Sequence, residues 1–148
     1  KLGELMRELG CDHLGAIDSQ AACELTAGLS GVAWVGDDWA PPRIGGLPLG
    51  LVAADYLVAD TGTCVVANET STQRLMCYLP PACVVVAKAD RLREHLPAVW
   101  KEISPRAADP EHHGEFVFIT GPSRTADIEK ILILGIHGPK RLVVLLVG

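Results

Sequence analysis

No apolar run in these 148 residues is longer than a β-strand. The longest, exemplified by Leu142–Val147, falls far short of the roughly 20 residues a membrane-spanning helix needs. No charged-then-apolar leader opens the chain. It does not begin with Met either, so N-terminal signals are not visible in it. The five cysteines, Cys11, Cys23, Cys64, Cys77 and Cys83, are an odd number without a C-x-x-C pair. That spacing speaks against a disulfide framework, a zinc ribbon and a self-contained iron–sulfur site. Cys64 and Cys83 sit in apolar, strand-like runs and read as inert buried thiols, which fits a reducing cytoplasm. The chain also has no block of one charge. Its 13 basic and 18 acidic residues are dispersed and sum to −5, which argues against nonspecific nucleic-acid binding and against an anionic membrane surface.

What is present is globular: 49% hydrophobic and 21% charged residues, with aromatics at only 5%. A core filled by Val, Ile, Leu and Ala points to a mostly parallel sheet flanked by helices. The length suits one α/β domain over residues 1–148, short of its extreme N-terminus. Helices are expected at Gly3–Leu9, at Gln20–Leu29 with Cys23 and Ala27 facing inward, and at Ala53–Asp60 through Ala54, Leu57 and Val58. A further helix should start at Pro97 and turn Val99, Trp100 and Ile103 inward. Strands are expected at Gly31–Val35, Thr63–Val66, Cys83–Ala87, Phe116–Ile119 and, as a last buried strand, Leu142–Val147. The stretches "GDDWAPPRIGG", Gly45–Gly50 and "SPRAADPEHHGE" read as loops. Ile128–Ile136 fits a helix face and a strand alternation equally well.

Ligands of open α/β sheets bind outside the carboxyl ends of the strands. Two polar segments fit such an edge: Asp60-Thr61-Gly62-Thr63, with Asn68, Glu69 and Arg74 beyond its strand, and the stretch after Phe116–Ile119. There Gly121 and Pro122 shape a turn, Ser123 or Thr125 can cap a short helix, and Asp127 suits that helix's positive end. Arg124 offers a guanidinium fork for carboxylate or phosphate. Free amides, hydroxyls and one cation together make an anion pocket. The same residues also fit a plain helix cap with an Arg124–Asp127 ion pair. Glu69 is a candidate base or nucleophile, though solvated loop carboxylates are common, and His137 a candidate acid/base or a turn-holding side chain. Around His112-His113 no carboxylate or Cys spacing completes a metal set, so no metal site is expected.

The segments "DTGTCVV…R…LP" and "ITGPSRTADIEKILILGIHGP" resemble the LUD-domain family, in its lactate-utilisation protein C (LutC, YkgG) group. The match runs over about the last ninety residues and is carried by Thr61–Thr63, Arg74, Leu79, Pro80, Gly121–Thr125, Asp127, Glu129, Gly135 and His137–Pro139. The resemblance implies a NagB/RpiA/CoA-transferase-like α/β fold and a role in bacterial oxidation of L-lactate to pyruvate. It implies iron–sulfur partner proteins, with no cofactor in this chain. Two other roles stay open: a non-catalytic assembly module for that partner, and an independent CoA-transferase- or sugar-phosphate-isomerase-like enzyme for which Glu69 would matter. One departure stands out. Where the family's strand is expected to open on His, this chain has Cys83.

Overall fold

The computed structural model describes residues 1–109, 115–126 and 132–148. In chain order the elements are α1 (Leu2–Glu8), β1 (Leu14–Ala16), α2 (Gln20–Thr26), β2 (Val32–Trp34), α3 (Pro41–Gly45), β3 (Leu49–Ala53), β4 (Tyr56–Val58) and β5 (Thr63–Asn68). They continue with α4 (Ser71–Met76), β6 (Ala82–Lys88), β7 (Leu92–Arg93), α5 (Leu96–Ala107), β8 (Glu115–Ile119), β9 (Arg124–Ala126), β10 (Leu132–Leu134) and β11 (Arg141–Val147). The mostly parallel sheet flanked by helices is present. Five strands run in the order β11-β6-β3-β1-β2, and every pairing in that sheet is parallel. The chain leaves β1 towards the β2 edge, then returns to place β3, β6 and β11 on the other side. The reversal between β1 and β3 is the topological switch point of a doubly wound sheet.

β6 shows how sequence makes this core. Ala82, Val84 and Val86 face a cluster with Leu2, Leu5, Met6, Ala21 and Ala22 of α1 and α2. Cys83, Val85 and Ala87 face a second cluster with Ile44 of α3 and Met76 of α4. A strand buried on both faces must be apolar at consecutive positions, which is why "CVVVA" reads without alternation. The second cluster also holds Leu57, Cys64, Val66 and Ile119 from a four-stranded sheet, β7-β4-β5-β8. Val99 and Ile103 of α5 close that sheet's far face against Val58 and Val65.

Several expectations need correcting. Ala53–Asp60 is not a helix. Ala53 ends β3 and Tyr56–Val58 forms β4, because Leu57 and Val58 are buried in different layers and so belong to opposite faces of a strand. "GDDWAPPRIGG" contains α3, opened by prolines in its first turn and anchored by the fully buried Ile44. Gly45–Gly50 is not a plain loop. Leu49 and Gly50 already pair with Ala82 and Cys83, and a Cβ on Gly50 would sit 3.0 Å from Pro80 and 3.1 Å from the Met76 carbonyl oxygen. α2 ends at Thr26, and it buries Ala21, Ala22 and Thr26 while Cys23 and Ala27 are exposed. Its phase follows Ser19, whose hydroxyl accepts the Ala22 amide at 3.1 Å. Trp100 points outward, 54% exposed, since Val99 and Ile103 at i, i+4 already fill the inner face of α5. That helix runs through Ser104–Ala107 of "SPRAAD", and the rest of that stretch from residue 110 to 114 lies outside the described residues. β11 is an edge strand with Val144 and Leu146 exposed, so it is only half-buried. In the ambiguous segment, 132–134 is strand, antiparallel to β9.

Candidate functional site

β5 and β8 run antiparallel with Cys64 opposite Ile119, so the residues before β5 and those after β8 come out at one edge. Thr63 stands at the centre of a hydroxyl relay there, its Oγ1 2.8 Å from that of Thr61 and 2.9 Å from that of Thr120. The two polar segments singled out in the sequence therefore meet. Gly62 and Gly121 both have positive φ, which lets the chain turn tightly on either side of the relay. Beside it lies an open hollow of about 500 Å³ lined by Phe118, Thr120, Gly121, Pro122 and Arg124. Arg124 is exposed, and no acid among the described residues pairs with it.

The stretch after Gly121 does not cap a helix. Arg124 and Thr125 lie in β9, opposite Leu134 and Ile133 of β10. Ser123 is spent on a neighbouring turn: its amide donates to the Pro139 carbonyl, its own carbonyl accepts the Gly135 amide, and its Oγ accepts the His137 amide. His137 itself is exposed. Asp127 and Glu129 lie outside the described residues, as do His112 and His113. Arg74 does not join this corner. It sits on α4 beyond the opposite end of β5, with its guanidinium paired to Glu115 at the start of β8.

A second concavity lies where the sheet order reverses. It is a cleft of about 270 Å³ whose floor is Ile17 after β1, Val52 and Ala53 of β3, and Val66 and Ala67 of β5. Its polar rim holds Asp18, Asp55, Glu69, Gln73 and Arg106. Asp55 accepts the Ala67 amide at 2.8 Å and faces the Arg106 guanidinium at 3.6 Å, while Glu69 meets the same guanidinium at 3.2 Å. Arg106 also lies 5.9 Å from the Phe116 ring centroid. Glu69 is a candidate from the sequence; Asp55 and Arg106 are not, because the sequence pattern puts one in a helix and the other in a loop.

Among the described residues no group of three His, Cys, Asp or Glu side chains is placed to hold a metal ion. Burial pushes the Cys64 thiol up to about 11 and that of Cys77 up to about 12, and raises Cys83 as well. The Cys23 thiol, which donates to Asp18, is exposed. With Ellman's reagent at mildly alkaline pH, Cys23 should react first and Cys11 more slowly. Cys64, Cys77 and Cys83 should react only once denaturant is added, since the thiolate is the reactive form. Titration of all five thiols in the native protein would contradict that burial. No helix among the described residues is long and apolar enough to cross a membrane.

A doubly wound α/β sheet with its polar residues gathered at strand ends defines the class. Residues 44–147 match the LUD domain, and the chain belongs to that family. Lactate utilization protein C of Halalkalibacterium halodurans is 34% identical over 94 residues, which cover 63% of this chain and 41% of that protein. The protein of the same name from Bacillus pumilus is 32% identical over 98 residues, 66% of this chain and 41% of its own. YkgG of Escherichia coli is 27% identical over 100 residues, 67% of this chain and 43% of its own. The matched stretch thus spans about two fifths of these curated relatives. A crystal structure of a DUF162 family protein from Deinococcus radiodurans shares the fold, with a TM-score of 0.69 and 17% identity over 99% of this chain and 81% of that one.

Proposed function

We propose that this chain is the LUD-domain part of a LutC-type component of bacterial L-lactate utilisation, acting beside an iron–sulfur partner that carries the redox chemistry. The observation that carries this reading is the similarity to proteins named lactate utilization protein C over about two thirds of the chain. Within it, a small anionic metabolite sits at the corner formed by Thr61–Thr63 and Thr120–Arg124. Arg124 clamps the anion, and the Thr61, Thr63 and Thr120 hydroxyls with the Gly121 turn complete the shell. Support comes from the meeting of the two segments and the hollow beside them.

A second reading, a non-catalytic assembly module for the same partner, draws on the apolar surface of that corner. Phe118, Ile133, Leu134 and Ile136 are each at least 40% exposed. One experiment separates the two. In a deletion strain on L-lactate, wild type restores growth, and the pocket reading expects Arg124→Ala to fail. Calorimetry with lactate and pyruvate on the purified Arg124→Ala protein should show affinity lowered about tenfold or more, the loss of one charge-assisted contact. Full growth with unchanged calorimetry removes the pocket and leaves the assembly module.

A further inference from the structure

We propose that the outer edge of β11 pairs with β11 of a second copy of this chain, antiparallel about a two-fold axis at Val144, which joins the two parallel sheets into one. β11 has the sequence of an interior strand and the position of an edge strand. Leu142 to Val147 are consecutive apolar residues, the pattern of a strand covered on both faces. The neighbouring β6 has the same pattern and is buried from Ala82 to Ala87, whereas β11 buries no side chain from Arg141 to Val147. Val144 and Leu146 are 41% and 58% exposed.

The open edge asks for a strand. β11 pairs with β6 at every position from Arg141 to Val147, without a bulge. Its other side faces no strand among the described residues, so alternate amides and carbonyls there have no ladder partner. Proteins blunt such edges with short strands, charges, Pro or bulges. The other edges of the two larger sheets do so: β2 has 3 residues, β7 has 2 and carries Arg93, and β8 opens on Glu115. β11 has 7 residues, no Pro, and a charge only at its first position.

A second copy matches this edge in length, polarity and charge. With Val144 opposite the second copy's Val144, the strands overlap from Arg141 to Val147. Leu142 then faces the second copy's Leu146 and Leu146 its Leu142, so the side chains left open on one face cover one another. Val143 and Leu145 do the same on the other face, beside the cluster packed by α1 and α2. Each chain carries −5, yet β11 holds no acid, and Arg141 is neutralised within its own chain by Glu8. Two copies therefore meet along a strand without net charge.

The test is sedimentation equilibrium of the whole chain at neutral pH, from about 1 µM to about 1 mM. Wild type should pass from the 15.7 kDa of one chain to twice that mass. Half-association is expected on the order of 10 µM, because one strand edge is a small interface. Val144→Lys and Val144→Glu each set two like charges opposite one another at the axis, so each alone should weaken association about tenfold or more. An equimolar mixture of the two should recover wild-type association to within about threefold, as opposite charges then face each other. Val144 is exposed, so circular dichroism should show both variants folded. Amide exchange of wild type needs no variant: the outward amides of Leu142–Val147 should exchange roughly tenfold more slowly at high than at low concentration. Three results would overturn the proposal: a wild type monomeric throughout, a dimer that both substitutions leave intact, or variants that stay monomeric when mixed. The first would leave the edge to a different protein, or, if its amides are slow at every concentration, to another segment of the chain. None of these outcomes depends on what Arg124 binds.

Discussion

Gly31→Ala is expected to lower unfolding stability by about 3 kcal/mol, among the largest single-residue losses in this chain. Gly31 stands just ahead of β2 with φ +78°, a conformation that costs any residue with a Cβ about 1–2 kcal/mol. Here the Cβ would also overlap the Asp12 carbonyl oxygen and approach the His13 Cα to 3.2 Å. These neighbours are backbone, so relief requires moving the chain that leads into β1. That movement is opposed because the Gly31 carbonyl accepts the Leu14 amide at 2.9 Å, at the start of the β1–β2 ladder. Gly28 is the internal control. Its φ is +79°, but a Cβ there meets nothing within 4 Å, so Gly28→Ala should cost only the backbone term, about 1 kcal/mol. Urea unfolding of the two variants, at equal slope, measures the difference directly. If Gly31→Ala is no worse than Gly28→Ala, the tight approach of the two loops is not present in solution.

The same contrast between local and long-range information explains what could be read in advance. β6 and β8 were legible because their apolar runs are strand-length and bounded by Pro and Gly. Thr61–Thr63 and Gly121–Thr125 are expected outside the carboxyl ends of parallel strands, but Thr61–Thr63 stands at the amino end of β5, and it is the antiparallel pairing of β5 with β8 that brings it to Thr120. β4 was misread because a strand between two apolar layers loses its alternation, and three apolar positions in five residues then mimic a helix face. The cleft was invisible for a different reason. Asp55, Glu69 and Arg106 are brought together by strand order, with Arg106 37 residues from Glu69. No local pattern encodes such a pairing. Arg74 shows the converse error. Its closeness in sequence to β5 suggested a shared site with Thr61, yet a six-residue strand separates the two ends.

Cys83→His, which restores the residue the family resemblance leads one to expect, should also cost about 3 kcal/mol at pH 8. Cys83 is fully buried on β6, between Gly50 of β3 and Leu142 of β11. Its surroundings include the Cys64 and Cys77 thiols, and burial without a cationic neighbour keeps its own thiol protonated. An imidazole there is larger than the thiol, and overpacking of a tight core costs about 1–3 kcal/mol. Its ring nitrogens also lose water without gaining a strong partner, a further cost of about 1–3 kcal/mol. The pH dependence has a definite sign. Burial would hold the introduced imidazole neutral and depress its pKa below the unfolded value of about 6.5, so protons bind preferentially to the unfolded chain. The stability gap to wild type should therefore widen as pH falls from about 7 towards 5. Cys83→Ala, which removes volume but adds no polar atom, should cost only about 1 kcal/mol and show no such widening. Paired urea titrations of the three proteins at high and low pH would decide the matter. A histidine variant that is within 1 kcal/mol of wild type, or whose gap narrows in acid, would mean that β6 offers this side chain a partner or water at its core-facing surface. In that case Cys83 marks an accessible position of the LUD fold, and the thiol would no longer count as a packing residue.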